Sequence, residues 1–264
     1  MEEFFLILLI LALAMFVGSV TGFGDSLIFI ALTTAIFLDV RIAIVLASFW
    51  SIFLSTSNAI NYRHYYDKVF LKKQAIPGII GIVIGSFLLV LSSLRWLEFS
   101  LGIFVLIYVM TKLNKIRKEG ILKSENFEDF SSLDNNNDKK EISNALFFTG
   151  AFSYGFLSGL IGASGPINVV LLERTGHERE SFIANFSLAS LIISPFKLGI
   201  YLWNGLFPVE FIGVFLVGII LIFVLTKIGH WLTPKIPKEK FTFLILILLL
   251  IISIRLIVVA IFFY

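Results

Sequence analysis

Residues 48–62 read Ser-Phe-Trp-Ser-Ile-Phe-Leu-Ser-Thr-Ser-Asn-Ala-Ile-Asn-Tyr, and residues 187–201 read Ser-Leu-Ala-Ser-Leu-Ile-Ile-Ser-Pro-Phe-Lys-Leu-Gly-Ile-Tyr. Laid over one another at an offset of 139, Ser48 meets Ser187, Ser51 meets Ser190, Ser55 meets Ser194, Asn58 meets Lys197 and Tyr62 meets Tyr201. The steps between these positions are 3, 4, 3 and 4 residues, so on an α-helix all five share one face. An offset of 140 aligns Gly22 with Gly162 and Gly78 with Gly218. The chain therefore reads as two related halves, each with an apolar helix that carries one polar stripe. Serines that only let helices approach closely are the competing reading. That reading leaves Asn58 and Lys197, polar at the same place in both halves, unaccounted for.

The rest of the sequence says where such helices live. Hydrophobic residues make up 58% of the chain and charged residues 15%, whereas a soluble domain carries about 25% charged residues. Residues 42–60 and 76–94 hold no charge, and residues 241–264 hold only Arg255. Runs of this length and character are bilayer spans. The start, Met1-Glu2-Glu3-Phe4, is acidic where a signal peptide would be basic, so the first apolar stretch is expected to be retained. With no cysteine, thiolate catalysis and cysteine metal sites are excluded. The histidines are not paired on helices, and no cofactor is expected. The net charge of +3 fits basic loops at a membrane rather than nucleic acid.

Ten apolar elements follow, at roughly 4–20, 26–38, 42–61, 75–93, 96–113, 144–161, 166–173, 181–202, 209–229 and 241–263. The second and seventh are too short for a hydrocarbon core of about 30 Å. Each follows a glycine-rich break, Thr21-Gly22-Phe23-Gly24-Asp25-Ser26 in one half and Gly162-Ala163-Ser164-Gly165-Pro166 in the other. Irregular backbone at membrane depth survives only against protein or a wet cavity. Each break is thus the tip of a re-entrant hairpin or the unwound centre of a helix, and a candidate site. Residues 114–143 are rich in Lys, Asn, Asp and Glu and read as a solvated linker between a first repeat, 1–113, and a second, 144–264.

Loop charge sets the topology. The segments 62–74, 112–143, 173–180 and 226–240 fall on one side and hold 17 of the 21 Lys and Arg residues. The positive-inside rule puts that side in the cytoplasm and both termini outside the plasma membrane. Five elements per half is an odd number, so the second half is inverted relative to the first. The expected fold is an all-α polytopic membrane protein of two inverted repeats, and secondary transporters so built bind substrate where the repeats meet. A homodimer is compatible with this layout, which does not fix the assembly.

Lys197 carries the sharpest chemical signal. A charge at the centre of a spanning helix costs about 2.5–3.5 kcal/mol, so such a residue normally faces a polar interior and serves function. Its alternative is to snorkel towards Trp203-Asn204. Facing inward, it makes an oxyanion site with Ser51, Ser55, Asn58 and Tyr62 from one half and Ser190, Ser194 and Tyr201 from the other. The helices after the two breaks would add positive dipole ends, with Gly22, Gly24, Ser26, Ser164 and Gly165 around them and Asn168 as a further donor. Arg255 is a second cation, buried or snorkelling. Asp25 is either a proton carrier at membrane depth or the cap of the helix it begins. The implied partners are a small anionic substrate and the lipid bilayer.

The duplicated breaks with short apolar arms resemble the sulfite exporter TauE/SafE family. The likeness rests on Gly22-Phe23-Gly24-Asp25-Ser26, on residues 159–166, on Ser181-Phe182-Ile183-Ala184-Asn185 and on the aromatic-ended third and eighth elements. It covers nearly the whole chain except the linker. Asp25 and Ser164 stand where that family often has glycine, and Ala31 stands near where a proline is common. The resemblance implies transport of sulfite, organosulfonates or related small anions, often outward. Two other readings compete. One is an anion channel. The other is an intramembrane serine protease of the rhomboid kind using Ser164 in Gly162-Ala163-Ser164-Gly165, which would need a histidine base within reach.

Overall fold

The computed structural model describes residues 2–21, 24–36, 39–125, 143–175, 177, 179–232 and 238–262. These form α1 (Glu2–Thr21), α2 (Asp25–Ile36), α3 (Val40–Asn61), α4 (Lys68–Leu91), α5 (Leu94–Glu125), α6 (Asn144–Ile161), α7 (Gly165–Arg174), α8 (Arg179–Trp203), α9 (Ile212–Leu232) and α10 (Lys238–Phe262). A single 3-10 turn, Val209–Phe211, leads into α9. Among the described residues there is no strand. The expected order of elements holds, including the two short helices of 12 and 10 residues. At 1.5 Å per residue these reach only about 18 and 15 Å.

The ends of the helices follow from local chemistry. Asp39 accepts from the Arg41 amide at the start of α3, and Asp67 accepts from the Val69 and Phe70 amides at the start of α4. Ser143 accepts from the Leu146 amide to open α6, which Gly162 closes in the left-handed conformation at φ 68°. Gly24, at φ 91°, performs the corresponding turn before α2. Both breaks thus depend on a glycine in a region that other residues rarely enter. One boundary differs from expectation. α5 does not stop at 113 but runs on to Glu125, because residues 112–123 are mostly Lys, Arg, Glu, Leu and Ile, which favour a helix in water as well as in lipid. The remainder of the expected linker lies outside the described residues.

Among the described residues six helices are long and apolar enough to cross a membrane, over 40–61, 68–91, 94–111, 144–161, 180–203 and 209–228. Their outward faces carry large apolar side chains at steps of four, as with Ile76, Ile80, Ile84 and Leu88 on α4. Water would penalise that surface and lipid does not. The chain is a multi-pass membrane protein.

Packing recurs at a shift of five helices. α1 packs on α9 as α6 packs on α4, α3 touches α9 as α8 touches α4, and α2 lies on α3 as α7 lies on α8. α3 against α8 and α5 against α10 complete the pattern. The main core lies around α1, α2 and α3, with the fully buried Trp50 giving its indole hydrogen to the Phe215 carbonyl at 3.1 Å. A smaller cluster of Phe70, Leu71, Ala151, Tyr154, Leu171 and Ile193 joins α4, α6, α7 and α8.

The tightest seam is that of α4 with α6. A methyl group added at Gly81 or Gly85 would overlap the Phe152 or Phe156 carbonyl, and one at Gly155 or Gly159 would overlap that of Gly78 or Ile82. The two helices therefore meet backbone to backbone through two facing Gly-x-x-x-Gly pairs, an arrangement that brings membrane helices within close dispersion range.

Contacts between loops fix which ends share a side. The Asp67 amide donates to Asn185 Oδ1 at 2.7 Å, and His177 Nε2 lies 3.7 Å from Asp67 Oδ2. The turn at 62–67 thus neighbours His177 and the start of α8, as the charge pattern requires. Arg41 donates to the Ser92 carbonyl at the other end of the bundle. Burial holds the His177 imidazole below its ordinary value of 6.5, against the pull of the Asp67 carboxylate and a bond to the Leu172 carbonyl. The unfolded chain then takes up this proton before the folded one does, so stability is intact above pH 6.5 and declines as pH falls below it. Thermal melts from pH 7.5 to 5 should show a larger fall for the native chain than for His177→Gln. Equal falls would remove His177 from the pH response.

Candidate functional site

The two breaks and the two striped helices meet around one internal cavity. Its volume is about 40 Å3, on the scale of a few waters or one small oxyanion. Gly24, Asp25, Ser26 and Leu27 line it from the first break, and Gly162, Ala163, Ser164 and Gly165 from the second. α3 contributes Ser51, Leu54, Ser55 and Asn58, while α8 contributes Phe186, Ser187, Ser190 and Lys197. α6 adds Tyr154 and Ser158.

The N-termini of α2 and α7 both border this space. The Ile28 amide bonds to the Gly24 carbonyl at 3.0 Å and the Ile167 amide to that of Ser164 at 3.1 Å, so each helix begins at its break. First-turn amides without a helical partner, and the positive end of each helix dipole, favour negative charge there. One of these ends carries a carboxyl group, since Asp25 is the first residue of α2 and only 7% exposed. Its Oδ2 accepts from the Ser26 hydroxyl at 3.3 Å. Gly18 on α1 makes room for this carboxylate, because a Cβ at that position would lie 2.7 Å from Asp25 Cβ.

Lys197 faces it from α8, 2% exposed, and donates to the Ser158 hydroxyl at 3.3 Å. Lys197 and Asp25 line the same cavity. Lys197 does not snorkel. Pro195, within α8, cannot donate to the carbonyl of Leu191, which loosens the helix one turn from the lysine. Ser190 and Ser194 hydroxyls are 3.4 Å apart, and Tyr154 brings its phenol to Ser190. Asn58, the counterpart of Lys197, is 2% exposed, and its Oδ1 has no hydrogen-bond partner in the cavity wall.

The structure gathers Gly24, Asp25, Ser26, Ser51, Ser55, Asn58, Ser164, Gly165, Ser190 and Lys197 around one space. Ser194 is buried beside it without lining it. Asn168 points elsewhere, its Oδ1 accepting from Gln74 Nε2 at 2.7 Å in the smaller core. Tyr62 forms the partly exposed C-cap of α3, and Tyr201 is fully buried with its hydroxyl on the Gly159 carbonyl at 2.6 Å. Arg255 is exposed and donates to the Thr34 carbonyl at 3.3 Å, in the last turn of α2. There it complements the negative end of that short helix rather than facing the cavity. Gly22 lies outside the described residues.

Tyr154 and Ser158 are cavity-lining side chains that reading the sequence missed. The available signal was their spacing of four, which puts them on one face of α6 with Ser158 one turn before Gly162. Among the described residues no histidine lines the cavity beside Ser164. Among the described residues no three His, Cys, Asp or Glu side chains gather as metal ligands do.

One family model, described as sulfite exporter TauE/SafE, matches residues 7–256 of the 264. No curated protein and no solved structure matches the chain.

Proposed function

Because the chain belongs to the sulfite exporter TauE/SafE family, a family of membrane transporters, we propose that it is a secondary carrier exporting a small oxyanion, such as sulfite or an organosulfonate, by alternating access. The observation that carries the reading is Lys197, a cation 2% exposed inside a cavity of hydroxyls and helix N-termini. Such a charge at membrane depth is tolerated for the ligand it serves. Hydroxyls donate to sulfonyl or sulfite oxygens without adding net charge, so Lys197 alone balances a monoanion.

In this reading residues 1–113 and 144–264 are inverted repeats and 114–143 joins them. The recurrence of helix pairings at a shift of five supports this, as does the shared polar stripe. The basic loops face the cytoplasm of a cell whose plasma membrane the chain crosses, and both termini lie outside. Asp25 couples a proton. While it is ionised it competes with substrate for Lys197, and protonation leaves the cation to the anion.

The experiment is coupled flux in proteoliposomes, with thermal stabilisation of the purified protein by sulfite, sulfoacetate, taurine and carboxylates as the binding measurement. Saturable flux at carrier rates, accelerated by a pH gradient in the native chain but not in Asp25→Asn, is expected. Unitary currents far above carrier rates would refute alternating access. Equal response of Asp25→Asn to the gradient would remove the proton.

A further inference from the structure

We propose that Tyr201 and Tyr62 are paired latches, each closing the access route at its own end of the bundle in one of two alternating states. The inference rests on the reading of two inverted repeats. Tyr201 is fully buried, and its hydroxyl reaches across from α8 to the carbonyl of Gly159. That carbonyl belongs to the last turn of α6, which ends at Ile161, where no further helical amide comes round to meet it. The hydroxyls of Ser48 on α3 and Ser86 on α4 flank the phenol, and both residues are 0% exposed. Neither flanking hydroxyl itself completes a hydrogen bond, so the bond to Gly159 is the tie. Four helices thus converge at one point, one turn beyond Lys197, and the cavity lining stops short of it. This cluster is a closed seal on the side that carries Ser92 and Asn204.

Every hydroxyl of that seal has a counterpart in the other half. Ser48 corresponds to Ser187 and Tyr201 to Tyr62 at the offset of 139, and Ser86 corresponds to Thr226 at the offset of 140. Gly159 corresponds at 140 to Ser19, in the last turn of α1. The two sets are not in the same condition. Ser187 lines the cavity where Ser48 is shut away from it, and Tyr62 keeps contact with the surface at the end of α3 where Tyr201 has none. Inverted repeats exchange conformations when a carrier turns its site from one side to the other. In the opposite state Tyr62 closes over Ser187 and Thr226 onto the end of α1, and Tyr201 releases Gly159. The tyrosines at the ends of the polar stripe therefore gate the substrate rather than hold it.

The chain has no native cysteine, so single reporters read without background. Ser48→Cys reports the route that Tyr201 seals and Ser187→Cys the route that Tyr62 would seal. Each is labelled from its own side of proteoliposomes by an impermeant thiol reagent. Tyr201→Phe keeps the ring and removes the tie, and should speed labelling of Ser48→Cys roughly three- to tenfold while slowing that of Ser187→Cys. Tyr62→Phe should move both rates the other way. Ser86→Ala and Thr226→Ala, which leave both phenols and the bond to Gly159 in place, should leave both rates near those of the parent reporters. Reporters unmoved by the tyrosine changes, or moved in one direction by both, would overturn the latch. Labelling needs no transport. A chain that exchanges reporters but carries no anion keeps the latch and loses the carrier, and a carrier whose reporters stay still does the reverse.

Discussion

Gly155→Ala is expected to destabilise the protein by about 3 kcal/mol, the upper end for one methyl added to a packed interior. The added carbon would meet the backbone of Gly78, its carbonyl oxygen foremost. Unlike a side chain, that oxygen cannot turn away without moving α4. Gly81→Ala acts from the opposite wall, against Phe152 and Phe156. Alanine also improves an exposed helical site over glycine by about 1 kcal/mol, so the proper controls are glycines in open space. Gly199 on α8 and Gly213 on α9 have nothing within 4 Å of an added Cβ. Their alanine variants should melt at or slightly above the native temperature in detergent, whereas Gly155→Ala should melt well below it or fail to give monodisperse protein. Similar melting of all four would mean that α4 and α6 do not meet through their backbones.

The second large effect is on binding. Lys197→Asn makes the two halves alike at this position, since Asn58 is the counterpart. It removes the lysine that lines the cavity and with it a charged hydrogen bond, which is worth about 1.5–3 kcal/mol, or about 10- to 150-fold in affinity for an anion. The variant is also expected to lose stability, because Asp25 stays buried without its opposing charge. Asp25→Asn in the same chain should return the stability but not the affinity. Isothermal titration with sulfite and a melt on the native chain and both variants separate the two effects. Unchanged affinity in Lys197→Asn would show that the lysine does not balance substrate charge, and stability that fails to return in the double variant would uncouple it from Asp25.

Much of the fold was legible because a bilayer leaves so few solutions. Hydropathy located the helices, and the two breaks stood out because glycine and hydroxyl residues have no other reason to interrupt an apolar run. The polar stripe was legible as a face, and Ser51, Ser55, Asn58, Ser190 and Lys197 do come together on the cavity. Its ends were not. From Ser187 to Tyr201 the stripe spans 14 steps, about 21 Å of helix, far longer than a small oxyanion. Residues beyond the cavity have to bond to something else, and Tyr201 found the end of α6. Tyr154 and Ser158 were hidden for the converse reason. They lie among other hydroxyl residues, Thr149 and Ser153, on a helix whose orientation is set by the glycine seam, and the sequence does not say which of its faces that seam buries. Arg255 shows the limit for cations near a helix end, where burial and snorkelling have the same hydropathy and only the position of α2 decides.

The seam of α4 and α6 also bears on how the chain is made. Gly85 and Gly159 are 74 residues apart, so at roughly 5–20 residues per second the ribosome delivers the second about 4–15 s after the first. Through that interval α4 sits in the bilayer with its glycine face open to lipid and to any other small-residue helix nearby. The α5 helix and the polar segment after it must pass before the proper partner arrives. Biogenesis thus contains a wait set by the length of chain between Gly85 and Gly159.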